Sequence, residues 1–385
     1  MKTTFLPVVT CALAASTLFA AEPPLPKFRA VDVDTKVDIG YGIAIADVDG
    51  DKKPDILLAD KNTIQWYQNP SWEKHIIAAN LTEKDHVCIA AADIDGDGKA
   101  EVAVGAGWNP GDTLNSGAVF YLIPPKDRTQ KWEPVALHHE PTVHRMHWAK
   151  NAAGKYELLV QPLHGRGNKG GEGDGVKLLA YTMPANPKDE WKTRVVSDDL
   201  HMSHNFHPVE WDKDAAQELI LGGKEGVFLY DRKGEKWTQK QLTEHLTGEV
   251  RDGKLPGGKR FIAAIEPMHG TTLAAYMETI EGLWARTQID DTLKDGHAVA
   301  IGDVLGIGSD QVVVGWRGMN PKGVPGVRLF TPLDKEGKQW RMTPLSAEEV
   351  AVEDLKLADL NGDGKLDVIL AGRQTKNVRV LFNER

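Results

Sequence analysis

Five histidines fall at matching places in a recurring pattern. His86, His144, His204, His245 and His297 each lie six to eight residues before the first acidic or equivalent position of a repeated turn, at Asp93, Lys150, Asp212, Asp252 and Asp303. Tyr41 and Glu353 hold the same place at the two ends of the series. Imidazole acts as general acid or base near neutral pH, and its neutral form is a common ligand for Zn2+ or another divalent metal. A second set follows further along each unit: Trp108, His164, His269, Arg317 and Arg373, with Lys61 and Lys224 in the first and fourth units. Guanidinium groups there suit a carboxylate or a developing enolate. The indoles of Trp108 and Trp316 suit stacking on a sugar ring. His75, His138, His139 and His201 read as ordinary residues, and His147 and His207 fall on the opposite strand face from His144 and His204.

A separate chemistry sits in three acidic turns. Their side chains are Asp47, Asp49, Asp51 and Asp55; then Asp93, Asp95, Asp97 and Glu101; then Asp359, Asn361, Asp363 and Asp367. Alternating carboxylates on a glycine-tightened turn converge oxygens on a hard cation, and structural Ca2+ is the expected occupant. Strands flank these turns and no Glu stands at the twelfth position, which excludes an EF-hand. The same residues can instead cap their own backbone amides. Asp303 to Asp310 keeps only the turn, and the segment from Lys150 to Gly154 has no acidic site.

The elements that carry these residues repeat seven times. Each unit has an apolar run, a polar gap and a second run ending in an aromatic, from Ile56–Tyr67 through Val368–Phe382. Trp72, Trp132, Trp191, Trp237, Trp284 and Trp340 open an outer, alternating strand in the first six units. The seventh lacks one, and Phe28 to Val31 can supply it. The expected fold is all-β: a seven-bladed β-propeller of four-stranded blades, the last completed by the N-terminal strand. Equivalent strand starts would then place the histidine ring around one mouth. Short helical turns are expected at most over Thr243–Leu246 and Ser346–Val350.

The chain has 385 residues with 46 basic and 55 acidic side chains, a formal charge of −9, which argues against a nucleic-acid track. Residues 1–21 read as a signal peptide, with Lys2 before the apolar run Phe5–Leu18 and small residues near Ala20 and Ala21. A periplasmic or secreted location follows, with residues 22–385 as one propeller domain. No apolar stretch is long enough for a membrane span. Cleavage leaves Cys88 alone, so no intramolecular disulfide is expected. A monomer is expected.

The acidic turns resemble FG-GAP, or VCBS, repeats, which implies the propeller fold without fixing a function. The segments His144-Arg-Met-His-Trp148, Pro162-Leu-His-Gly165, His204-Asn-Phe206, Met268-His-Gly270 and Asp295-Gly-His297 together resemble the propeller of aldos-2-ulose (1,5-anhydrofructose) dehydratases. That resemblance implies a metal-assisted eliminating pocket of His144, His204 and His297, with His164 and His269 nearby. Ulvan lyases and related polysaccharide lyases are a second comparison. The expected activity is a β-elimination on a keto-sugar or uronate. His204 would act as base, Arg317 or a metal would stabilise the enolate, and Tyr41 would protonate the leaving oxygen. His86, His164, His269, Trp108, Arg373 and Glu353 would contact the carbohydrate. The alternative is a non-catalytic glycan- or protein-binding propeller with structural calcium.

Overall fold

The structure, a computed structural model, describes residues 22–234, 236–279, 282, 284–319, 323–345 and 350–385. The expected signal segment, residues 1–21, lies outside them. Seven four-stranded antiparallel sheets follow one another, and six of them use four consecutive strands. In the seventh, Phe28–Asp34 pairs with Asn377–Asn383, so the N-terminal strand completes the last blade. Asp32 pairs with Arg379, and Arg29 with Glu384, across that seam.

The first strands of blades 1 to 7 are Gly42–Ala46, Cys88–Ala92, Val143–Lys150, Ser203–Val209, Val250–Lys254, Gly296–Gly302 and Val352–Ala358. Each contacts the first strand of the next blade, and the last contacts the first, so the ring is closed. The second strands are almost wholly buried, with a continuous apolar run at the centre of each, such as Ile56–Ala59 within Asp55–Ala59 and Val368–Leu370 within Asp367–Gly372. Apolar residues from adjacent blades interlock as the core: Ile220, Val227 and Leu229 meet Ile262, Ala264 and Tyr276, for example. Trp132 and Trp191 are buried and donate through Nε1 to the carbonyls of Arg128 and Pro187 just upstream.

None of the described residues is helical. Thr243–Leu246 is a strand end and bend rather than a helical turn, and residues 346–349 lie outside the described residues. Among the described residues no helix is long and apolar enough to cross a membrane.

Candidate functional site

Four of the innermost strands carry a β-bulge at one place. The register slips between Val143 and Arg145, Ser203 and Asn205, Gly296 and Ala298, and Val352 and Asp354. The residues left out of the pairing are His144, His204, His297 and Glu353. A bulge re-aims the side chain of its extra residue, and here His144, His297 and Glu353 line the mouth of the channel, with His204 directly behind them. Glu249, one residue before Val250, takes this place in blade 5, and Tyr41 does so in blade 1.

The mouth holds a cavity of about 190 Å³ lined by Tyr41, Trp108, His144, Arg145, His269, His297, Arg317, Glu353 and Arg373, with Val87 and Pro110. His204 lies behind the wall, buried, with its Nε2 2.7 Å from His269 Nε2. The ring nitrogens of His204, His269 and His297 come within 4.8 Å of one another. His297 Nδ1 donates to the Glu353 carbonyl at 2.5 Å, which leaves its Nε2 with a lone pair. His204 Nδ1 stands 3.0 Å from Glu249 Oε1, but off the line a hydrogen bond needs, so both atoms are buried without a hydrogen-bond partner. Burial, then neighbouring cations, holds His297 well below the usual imidazole range. Burial lowers His204 and takes His269 to about 2. All three rings are therefore neutral at pH 7.

These rings fit a divalent metal. His204 and His297 are neutral, their Nδ1 atoms face a carboxylate and a carbonyl, and their Nε2 atoms turn inward, the usual outer support of a metal-bound histidine. His269 fits with one adjustment. Arg317 lies 3.4 Å from its Nδ1, which favours a proton on Nε2 until that contact loosens. Leaving aside the Glu249–Arg145 pair at its base, the mouth has two guanidiniums, Arg317 and Arg373, against the carboxylates of Glu353, Asp295 and Asp85. That charge balance suits a cation.

His144 differs from its expected role. Its Nδ1 donates to the His204 carbonyl at 2.9 Å and its Nε2 accepts from Arg145 at 3.0 Å, so both nitrogens are engaged. Trp108 stacks on its ring with centroids 4.8 Å apart. Arg317 is held by Glu353 at 2.5 Å and by Asp295 at 3.2 Å, while Arg373 donates to the other Glu353 oxygen at 2.8 Å. Tyr41 donates to Asp85 at 2.8 Å, beneath the Arg373 guanidinium. Burial, reinforced by Asp85, raises the Tyr41 hydroxyl far above its ordinary value.

Four expected contributors are not brought to this pocket. His86 is fully buried and turned toward the Leu81 amide, because Val87 holds the equivalent register. His164 bridges to Met202 in the loop layer, outside the cavity lining. His245 is exposed, four residues short of Glu249. Trp316 is a core residue covered by Arg328, with no face open to a sugar.

Sequence reasoning missed Glu249, Asp85, Asp295 and Arg145. Counting back from Val250 as a strand start would have found Glu249. The others carry no repeat signal.

The acidic turns are wound on their own amides. Asp47 accepts from Gly50 and Lys52, Asp93 from Gly96 and Gly98, and Asp359 from Gly362 and Gly364. Gly50, Gly96 and Gly362 have φ of 85°, 84° and 75°, a region that favours glycine. Oxygens converge from Asp47, Asp49 and Asp55, and from Asp93, Asp95 and Glu101. Asp51 and Asp363 point instead to Lys53 and Lys365, and Asp97 lies 3.9 Å from Arg128. In the third turn, Asn361 accepts from the Asp363 amide and Asp367 from Leu360 and Asn383. Burial, with nearby carboxylates, pushes Asp55 and Glu101 up to about 7. A cation held there would keep both ionised. Asp303 keeps its turn through the amides of Ile307 and Gly308.

Comparison with known proteins supports the repeats and the fold. An FG-GAP-like repeat matches residues 47–104, and an FG-GAP repeat matches residues 89–122. No curated protein matches the chain. Among solved structures, virginiamycin B lyase from Staphylococcus aureus is 11% identical, with 92% of this chain and 98% of that one covered and a TM-score of 0.58. A chain of the mitotic checkpoint complex is 13% identical, with 99% of each chain covered and a TM-score of 0.57. A lectin from Agrocybe aegerita, described as recognising non-reducing terminal N-acetylglucosamine, is 13% identical with 80% of each chain covered and a TM-score of 0.51. At these identities the likeness is one of fold alone.

Proposed function

We propose that the protein is a carbohydrate-active carbon–oxygen lyase of the dehydratase or polysaccharide-lyase type, acting by metal-assisted β-elimination on a keto-sugar or uronate. The observation that carries this reading is the neutral triad of His204, His269 and His297, the first and last buried and His269 open to the mouth, beside the Tyr41–Asp85 pair. The fold hosts both sugar binding and lyase chemistry, as its lectin and lyase neighbours illustrate. The choice between them therefore rests on the pocket. The resemblance to aldos-2-ulose dehydratases points the same way.

A divalent metal such as Zn2+, held by His204, His269 and His297, would supply a Lewis acid for the oxygen next to the acidic carbon. His204 is thus a ligand rather than the base, with Glu249 and the Glu353 carbonyl as the groups that orient the rings. Tyr41 is the proton-handling residue. Its Oη receives the proton from carbon as its own proton passes to Asp85, 2.8 Å away. Asp85 then returns a proton through Oη to the leaving oxygen, and the carbon–oxygen bond breaks as the double bond forms. This relay avoids a free phenolate, which the buried site disfavours. Arg373, partly exposed at the rim, receives a substrate carboxylate, and Trp108 shapes the wall.

Calcium in the first two acidic turns is read as structural. The chain is read as an exported monomer, periplasmic or secreted. The test is ultraviolet absorbance of unsaturated product on a panel of keto-sugars and uronates, before chelation, after it and after metal return. Product that follows the metal supports the lyase. Saturable glycan binding with no product from any substrate would replace it with the binding propeller.

A further inference from the structure

Next to the mouth, and sharing Tyr41, Val87 and Arg145 with it, a second cavity of about 200 Å³ occupies the channel. Its polar lining comes from the interior of the first strands: Arg145, His147, Asn205, Arg251, Asp354 and Lys356. Lys356 donates to both Asp354 oxygens at 2.7 and 2.9 Å, so that pair is neutral. Arg145 and Arg251 share one carboxylate, Glu249, at 3.8 and 3.9 Å, beyond hydrogen-bond reach. Glu249 Oε2 instead accepts from Asn205 at 2.5 Å. Arg251 donates to the Val250 carbonyl and Arg145 to His144. The rest of two five-donor forks is left to the cavity.

The channel therefore holds three cations against two carboxylates. A guanidinium buried without compensating charge is costly. The two imidazoles alongside do not help: burial and the positive charge around them keep His147 and His207 neutral. His207 Nδ1 is buried with no hydrogen-bond partner.

We propose that the channel is a binding site for one small anion, an inorganic oxyanion, halide or carboxylate, held between Arg145, Arg251 and Lys356. A guanidinium fork matches an oxyanion in two-point geometry, and the ammonium adds a third point of charge. The site is separate from the metal triad and does not rest on the lyase reading. Mouth and channel thus have opposite preferences, a cation at one and an anion at the other, with Glu249 and Arg145 between them.

The test is calorimetry of the whole protein with inorganic phosphate, paired with anomalous diffraction from a bromide-soaked crystal. The expected result is one saturable phosphate site, weakened at least tenfold in Arg251→Gln, with a bromide peak between Arg251 and Lys356 that phosphate or acetate diminishes. Should Arg251→Gln fail to fold, the wild-type bromide position decides. No saturable binding, or a peak confined to Arg317 and Arg373 at the mouth, overturns the proposal, as does an adventitious ion only, present at soaking concentration without a calorimetric counterpart.

Discussion

The Nε2 atoms of His204 and His269 stand 2.7 Å apart, although one ring comes from a bulge in blade 4 and the other from a loop after the second strand of blade 5. Two neutral imidazoles meet this way either by sharing one proton or by facing a common cation. Behind His204 the Glu249 carboxylate lies 3.0 Å away, flanked by the guanidiniums of Arg145 and Arg251 at 3.8 and 3.9 Å.

His204→Ala and Tyr41→Phe separate ligand from proton carrier. Both should fold, with His204→Ala losing about 1–3 kcal/mol for the groups left unpaired. Each should lower turnover by about 10²–10⁴-fold. Bound transition metal should be lost in the first and kept in the second. Full activity in Tyr41→Phe would remove that residue from the chemistry.

Glu249→Gln keeps the shape but not the charge behind His204. Metal affinity and turnover should fall about 10–100-fold, while circular dichroism stays unchanged. A variant with wild-type metal affinity would reduce Glu249 to a packing residue.

How much of this was legible in the sequence depends on what fixed the register. The tryptophans and the acidic turns recur at set distances, so blade number, strand order and the N-terminal closure could all be counted. His144, His204 and His297 were found the same way. Blade 5 has no acidic turn, and its count was anchored on Asp252. Counting from Asp252 therefore points to His245, whereas Glu249 holds the ring position. His86 sits one residue too early for the opposite reason, since Val87 follows it into the ring. Arg145 and Arg251 look like ordinary strand residues until seven strands bring them to one axis. The roles of His204 and His144 turned on individual hydrogen bonds, which spacing does not encode.

Asp55 and Glu101 should make stability fall with rising pH when calcium is absent. Folded, they titrate near 7; unfolded carboxyls do so near 4. Between these values the folded chain keeps protons that the unfolded chain has released, so stability declines by up to about 1.4 kcal/mol per pH unit per group and levels off above 7. Calcium competes with those protons. Its effect on Tm should be small at pH 5 and larger at pH 8. Equal gains at both, or none at either, would leave the turns as self-capped hairpins.

Removal of residues 22–34 should expose the edge of Asn377–Asn383. The open strand invites pairing with other chains. Light scattering should show aggregation, and Tm should drop by roughly 10 °C or more, several kcal/mol for a chain of this size. A truncated chain that stays monomeric with unchanged Tm would contradict the role of the seam.

The most direct test of the central claim is the metal content of the purified protein, compared between wild type and His204→Ala. About one divalent transition metal per chain is expected in the wild type and none in the variant, with calcium unchanged. A wild-type protein that retains no transition metal after equilibration with Zn2+ or a similar ion would contradict it, and would leave the three rings as a proton-sharing cluster.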